Sequence, residues 1–188
     1  SGKAKQILLA LCKALGTLKK GAIDVTFKQE AVLDLFNEQG FGPAFEQVLL
    51  NSICTLVDAG YPEEAVLVEM FMSEEMAYTY EKMAKVGLVK QTEFHSQTSQ
   101  YGAMSRGIKF ATLPIKKKMK SILKNIESGG FAREWQRKRT KMIFKFLKYF
   151  AMRTRINRLE TRVRENLGLS VNQPYEYESP NMEIEQLE

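Results

Sequence analysis

The sequence predicts an all-α protein, and three observations support this fold class. Apolar residues recur at intervals of three and four along most of the chain, which is the spacing of one face of a helix. No alternation of apolar and polar residues, as in a strand, runs longer than four residues. Glycine or proline stands at the ends of several of these periodic segments, as expected at helix boundaries.

In the first third of the chain, apolar spacing predicts one helix around residues 7–18. A short extended link is expected at Val25-Thr26-Phe27. One long helix or two shorter ones should follow over residues 32–57. Gly40–Pro43 marks the expected kink, and Gly60 the end.

The next helix is predicted to begin at Pro62, because proline fits the first turn and Glu63 and Glu64 favour the helix dipole. It should fade at Gly87. Residues 95–110 are polar and contain glycines, and we expect a loop with a short helix there.

Pro114 is predicted to open a further helix, which Gly129-Gly130 closes. Another should begin at residues 131–135, and residues 143–166 have helical spacing again. The sequence predicts no repeat and no strand in this region. Helices are therefore expected up to residue 166.

Charge is distributed unevenly along the chain, whose net charge is +6. Residues 114–165 hold 17 Lys or Arg against 4 Glu, whereas residues 171–188 hold five Glu and no basic residue. Such asymmetry is typical of contacts with partners or within a chain. We predict a single all-α domain over residues 1–170 and an acidic tail over 171–188. The tail is expected to be flexible because it has little to bury.

Several protein classes do not fit the sequence. No run of 18 uncharged apolar residues occurs, so no transmembrane segment is expected, and the start lacks the apolar stretch of a signal peptide. Cys12 and Cys54 are too few for a disulfide framework and lie in apolar surroundings, where buried thiols are expected. These features predict a cytoplasmic protein.

Asp34 and Glu38 are candidate metal ligands, since they stand four apart on a predicted helix and project from one face. Mg²⁺ prefers such oxygen ligands. Their apolar neighbours favour a half-buried position. An exposed acidic pair with no ligand is the alternative, because such pairs are common on helices.

Glu69 lies within the apolar stretch from Val66 to Met70, where a carboxylate must be paired, protonated or bound to a metal. Lys82 or Lys85 could pair with it. His95 is the only histidine, and without a neighbouring cysteine or histidine it is expected on a surface loop.

The sequence contains none of the motifs GxGxxG, GxxxxGK, GxSxG and HExxH. A nucleotide-binding βαβ unit is therefore not expected in these 188 residues.

Several segments resemble the short-chain class of ketol-acid reductoisomerase, in its C-terminal helical domain. Thr26–Glu30 and Asp34–Gln39 are similar to the family's TTFKEE and DLFGEQ at the same spacing. Further segments that match in order are Ala14–Gly21 (IGGTRAG), Leu56–Tyr61 (LVEAGY), Ser96–Gly102 (SDTAEYG), Phe131–Trp135 (FAREW) and Leu159–Leu167 (IExVGxxLR). The resemblance covers roughly residues 5–168 and leaves out only the acidic tail.

The resemblance implies a knotted helical domain that interlocks with a second copy, so that each active site draws residues from both chains. Asp34 and Glu38 align with the family's Mg²⁺ ligands. Glu69 aligns with a third carboxylate, which the second copy supplies, and Ser96 with a serine that touches the substrate. The implied activity is isomeroreduction of 2-acetolactate in branched-chain amino acid biosynthesis.

Departures from the family pattern concern the same site. Ser73 stands where the family has a second glutamate, and Glu74 beside it is expected to point about 100° away round a helix. Asn37 replaces a glycine, and Gln97 and Gln100 each replace an acidic residue. These changes predict that Mg²⁺ binding is weak or lost. No residue is assigned a catalytic role, and NADPH would bind only to a separate domain or subunit.

A rival interpretation is a degenerate, non-catalytic interaction protein whose basic segment, residues 114–165, binds nucleic acid or an anionic surface. We favour the alternative in which residues 143–150 dock on a dimer core. In that case the Lys and Arg side chains of this segment face the solvent or pair with the acidic tail.

Overall fold

A computed structural model describes residues 2–169, with the side chain of Lys20 left out. This part of the chain is mainly helical and contains no strand, which confirms the all-α prediction. The α-helices in chain order are α1 Ala4–Ala14, α2 Phe27–Phe36, α3 Gly42–Asp58, α4 Glu63–Leu67, α5 Glu75–Val86, α6 Gln97–Ala111, α7 Ile115–Glu127, α8 Gly130–Trp135, α9 Lys138–Ala151 and α10 Arg155–Asn166.

Four shorter helical segments connect these elements. Two are 3₁₀-helices, Thr17–Lys20 and Lys90–Phe94. The other two are single π-helical turns, Asn37–Phe41 (the first π-turn) and Val68–Met72 (the second π-turn). The predicted acidic tail lies outside the described residues.

The start of α2 is fixed by a capping box. Thr26 has extended backbone angles (φ −75°, ψ 154°), and its hydroxyl accepts a hydrogen bond from the Gln29 N–H at 3.2 Å. The Gln29 side chain in turn accepts from the Thr26 N–H at 2.8 Å. Two donors of the first turn are thereby satisfied. The extended link expected at residues 25–27 thus reaches only to Thr26.

Replacing Thr26 with alanine should lower the free energy of unfolding by about 1 kcal/mol, because one capping interaction is lost. Urea unfolding followed by circular dichroism measures this change. Thr98→Ala in α6 is the matched control, since Thr98 is exposed and caps no helix. It should stay within about 0.5 kcal/mol of the wild type. Equal effects of the two substitutions would contradict the capping role.

The chain divides into two compact units. Unit 1 comprises described residues 2–44 and 114–133. In it, α7 packs against α2 and the first π-turn. Gly40 is buried, and a Cβ there would lie 3.2 Å from the Met119 sulfur and 3.3 Å from the Phe36 ring. Glycine therefore allows α7 to approach the π-turn closely.

Unit 2 comprises described residues 45–113 and 134–169 and contains a buried apolar cluster. Leu67 and Val163 are fully buried, and Leu159 of α10 lies beside them. Val163 and Leu159 are four apart on α10, so one helix face supplies both. The cluster consists of Ile53, Val66, Leu67, Leu159 and Val163.

Polar contacts lie beside this cluster, where α10 packs against α4. Arg162 pairs with Glu63, and the Asn166 amide donates a hydrogen bond of 2.9 Å to Glu64. This hydrogen bond, helped by the residue's own backbone N–H, lowers the pKa of Glu64 below its ordinary value. The contact therefore stabilises the fold above the ordinary glutamate pKa of about 4.3 and is lost on acidification.

Two element predictions are wrong. The segment 95–110 was expected to be a loop with a short helix, but most of it lies in the long helix α6, Gln97–Ala111. Ser96 caps this helix by accepting a hydrogen bond from the Ser99 N–H at 3.2 Å. The helix predicted from Pro62 to Gly87 is divided into α4, the second π-turn and α5, because Glu74 adopts left-handed backbone angles (φ 60°, ψ 10°).

Candidate functional site

Asp34 and Glu38 lie at the end of α2 and in the first π-turn, within unit 1. Both side chains are exposed, contrary to the half-buried position that the sequence favoured. Their neighbour Leu33 is itself 64% exposed. Among the described residues, neither carboxylate forms an ion pair. Both are therefore open to an external cation.

Each segment that carries a candidate carboxylate includes a π-turn. In the first, the Gly42 N–H donates to the Asn37 carbonyl five residues earlier. In the second, the Ser73 N–H donates to the Val68 carbonyl at 2.9 Å. Such turns interrupt the regular α-helix and occur frequently at functional sites. The sequence analysis missed both, although it placed a kink close to the first.

Glu69 lies in the second π-turn, in unit 2, and its side chain is exposed. Neither Lys82 nor Lys85 pairs with it, because Lys85 pairs with Glu81 and the Lys82 ammonium lies 4.5 Å from the Tyr78 ring centre. An apolar groove runs beside Glu69, lined by Leu56, Tyr61, Ala65 and Val66. The groove could hold the alkyl part of a small acid whose polar end faces the carboxylate.

Ser73 and Glu74 occupy the break between the second π-turn and α5, and both are exposed. Glu74 is the one non-glycine residue with positive φ in the described part of the chain. Because the helix is interrupted here, the expected 100° rotation between Ser73 and Glu74 does not apply. Glu74 is thus a candidate acidic residue that sequence reasoning set aside, and helical periodicity gave no signal for it.

Ser96 is exposed at the N-cap of α6, where its oxygen accepts a hydrogen bond from the Ser99 N–H. The hydroxyl proton remains available for a ligand. His95 precedes it as a half-buried residue, and its carbonyl accepts a hydrogen bond of 2.8 Å from the Gln100 side chain. Gln100 therefore fixes the turn that presents Ser96.

Gln39 is a further candidate that the sequence analysis did not single out. Its side-chain nitrogen is buried in unit 1 and has no hydrogen-bond partner there. A buried donor without a partner costs free energy unless an acceptor satisfies it. The feature of the sequence that could have identified Gln39 as a candidate is its position directly after Glu38.

The donor set fits a hard cation in chemistry, although the described residues of one chain contain no group of three such ligands. Carboxylate oxygens are the ligands that Mg²⁺ prefers, and it commonly takes only one or two of them. Across residues 2–169, no three His, Cys, Asp or Glu side chains come close enough together to hold a metal ion. Asp34 and Glu38 lie in unit 1, and Glu69, Ser73 and Ser96 in unit 2.

Together, the fold and these residues define an all-α domain that presents exposed carboxylates on interrupted helices. In the described region, none of these helices is both long and apolar enough to cross a bilayer.

A family model described as the C-terminal domain of ketol-acid reductoisomerase matches residues 27–168. The chain belongs to this family. The resemblance seen in the sequence is thereby confirmed, although the match begins at Phe27 and leaves out the segment 14–21.

Curated relatives agree with this assignment. A ketol-acid reductoisomerase (NAD(+)) from an uncultured archaeon is 35% identical over 136 residues, and a ketol-acid reductoisomerase (NADP(+)) from Sulfurisphaera tokodaii is 36% identical over 136 residues. Each alignment covers 72% of this chain and 40% of the relative. The chain therefore spans less than half the length of these relatives.

A solved structure is also similar, that of an NADH-preferring ketol-acid reductoisomerase from an uncultured archaeon. The superposition has a TM-score of 0.74 at 30% sequence identity and covers 87% of this chain and 50% of that one.

Proposed function

We propose that this chain supplies the metal- and substrate-binding half of a ketol-acid reductoisomerase site, acting in branched-chain amino acid biosynthesis. The observation that carries the proposal is the position of Asp34 and Glu38. Both are exposed and form no ion pair with the residues that the structure describes. Asp34 lies near the end of α2 and Glu38 in the first π-turn, within the segment that the family model matches. The substrate class is a 2-hydroxy-2-keto acid such as 2-acetolactate.

The proposed assembly is an interlocked, knotted homodimer with a single domain over residues 1–170. Asp34 and Glu38 of one copy would hold Mg²⁺ together with Glu69 of the second copy. This arrangement accounts for the absence of a three-residue cluster in the described residues of one chain. It also gives the exposed carboxylates a common ligand, which would relieve their mutual repulsion.

Bound Mg²⁺ would act as a Lewis acid that polarises adjacent oxygens of the substrate. Ser96 would donate its hydroxyl proton to a substrate oxygen, since its own oxygen already accepts the Ser99 N–H. The groove beside Glu69 would take the alkyl groups of the acid. Ser73 would contact the substrate without supplying a negative charge, so that Mg²⁺ binds weakly.

A nucleotide-binding domain outside these 188 residues would supply NADPH, either on the same polypeptide or on another. We propose that the 188 residues alone are inactive, because their sequence contains none of the dinucleotide-binding motifs. The assembled protein would work in the cytoplasm.

Thermal unfolding with and without Mg²⁺ tests this proposal. If the site binds with a Kd of about 1 mM, about 10 mM Mg²⁺ stabilises the folded state by about 1.4 kcal/mol. The melting temperature should then rise by about 3–6 °C. Sodium chloride at equal ionic strength gives the reference, because it screens charges without binding at the site.

Variants separate a specific site from general cation binding. Asp34→Asn should abolish the Mg²⁺-dependent shift, and Ser73→Glu should enlarge it. Glu93→Gln is the matched control, since Glu93 is an exposed acid outside the proposed site, and it should leave the shift unchanged. Loss of the shift in Glu74→Gln would show that Glu74 takes the place of the missing carboxylate. Identical shifts in wild type and Asp34→Asn would refute the proposal.

A further inference from the structure

Helix α9 carries four lysines on one side, apart from most of its apolar residues. Four lysines are spaced three, four and three residues apart and therefore lie along one side, over about 15 Å of helix. Most of the apolar residues lie on the remaining surface. We call the four cations the lysine stripe: Lys138, Lys141, Lys145 and Lys148.

The lysine stripe is fully open in the described structure. All four side chains are exposed, and none forms an ion pair within residues 2–169. Four like charges on one helix face repel one another and destabilise the helix unless an anion lies nearby. A shallow groove follows the edge of the stripe, lined by Lys145 together with Met142, Phe146 and Tyr149. An occupant of this edge would thus meet cations on one side and apolar groups on the other.

The sequence beyond Leu169 has the complementary pattern. Residues 171–188 contain five glutamates and no lysine or arginine. Apolar and acidic residues alternate in Tyr175–Glu178 and again in Met182–Glu185. An extended segment with such alternation directs its acids to one side and its apolar groups to the other. Alternate residues are then about 6.6 Å apart, close to the 4.5–6 Å rise between neighbouring lysines of the stripe.

We propose that the acidic tail, residues 171–188, lies along the lysine stripe of α9 in its own chain. The tail can reach it, because Glu183 is 14 residues beyond Leu169, about 46 Å of extended chain. Helix α10, which separates Leu169 from α9, is only about 18 Å long. Single exposed ion pairs contribute little, so the tail is held by several of them together with apolar contacts in the groove.

This docking leaves the rest of α9 available. The apolar side chains opposite the stripe stay free to pack in the proposed dimer, because they lie on another face of the same helix. The tail would cover the strongest row of cations in the basic segment and reduce its attraction for external polyanions. None of the tail residues belongs to the proposed metal site.

Zero-length cross-linking tests the contact directly, since a carbodiimide joins only carboxylates and amines that touch. Mass spectrometry of the full chain should find tail glutamates linked to the lysine stripe. Four exposed lysines of α7 are the internal control and should react at least about fivefold less: Lys116, Lys117, Lys118 and Lys120. The stripe cross-links should fall strongly in about 1 M NaCl, where the Debye length is about 3 Å. A mixture of isotopically heavy and light chains shows whether each cross-link joins residues of one chain or of two.

Heparin retention gives an independent readout. Neutralising the tail (E176Q, E178Q, E183Q, E185Q and E188Q) should raise the eluting salt concentration more than neutralising five exposed glutamates elsewhere (E30Q, E46Q, E75Q, E93Q and E127Q). Both sets remove five negative charges, so net charge is matched. The difference should vanish when the stripe is changed to glutamine (K138Q, K141Q, K145Q and K148Q).

Four results would overturn the proposal. Cross-links could be spread equally over the lysines of α7 and α9, or absent from the stripe. They could join only heavy to light chains, which would place the tail on the other copy. Equal heparin retention of the two neutralised sets would show a stripe that is open to external polyanions.

Discussion

Leu67→Ala should lower the free energy of unfolding by about 2–5 kcal/mol, the usual range for a buried leucine. Leu67 is 0% exposed and lies in the apolar cluster of unit 2, at the end of α4. The substitution removes buried methyl groups and leaves a cavity between α4 and α10. Because the second π-turn begins at Val68, the loss should also loosen the segment that carries Glu69.

Urea unfolding at a fixed chain concentration measures this effect, since dimerisation would make the apparent stability depend on concentration. Leu88→Ala is the matched control in the same unit, because Leu88 is 71% exposed. The control should change the free energy of unfolding by no more than about 0.5 kcal/mol. If both variants unfold alike, the cluster around Leu67 is not the core of unit 2.

The sequence predicted most helices because their apolar spacing and end signals agree. It failed at α6, where Gly102, Gly107 and a polar composition suggested a loop. Gly102 is half-buried and Gly107 exposed within α6, where they weaken the helix without breaking it. The capping signal of Ser96 was present but was outweighed by composition.

The candidate site was predictable only in part. Spacing singled out the pair Asp34 and Glu38, and apolar surroundings singled out Glu69. The family resemblance added Ser73 and Ser96. The π-turns and the left-handed Glu74 could not be predicted, because periodicity describes regular helices and these are local departures from one. Interruptions of this kind depend on tertiary packing, as Gly40 against Met119 and Phe36 illustrates.

Burial of the site could not be predicted from the sequence of one chain. Apolar neighbours such as Leu33 suggested half-buried carboxylates, yet Leu33 is itself exposed in the single chain. Large apolar side chains of α9 are also exposed in the single chain, including Leu147 and Phe150, which are both 63% exposed. Monomeric proteins rarely expose contiguous apolar patches of this kind. A second copy that covers them would explain both observations.

Light scattering at micromolar concentration is therefore expected to give about twice the chain mass of 21.5 kDa. Replacing Leu147 and Phe150 with lysine should abolish the dimer, because two charges would have to be buried without partners. A cost of about 3 kcal/mol already raises the dimer Kd by more than a hundredfold. In an interlocked dimer, loss of mass should be accompanied by loss of helical circular dichroism, since dissociation requires unfolding.

The matched control lies on the other face of the same helix. Lys141→Gln and Lys145→Gln belong to the lysine stripe and should leave the dimer mass unchanged, since we propose that the acidic tail, and not the second copy, covers the stripe. A dimer that survives Leu147→Lys with Phe150→Lys but dissociates on changing the stripe would reverse the assignment of the two faces. A wild-type mass of 21.5 kDa would refute the dimer itself. It would also remove the basis for a metal site shared between Asp34, Glu38 and Glu69 of two copies, because residues 2–169 of one chain contain no group of three such ligands.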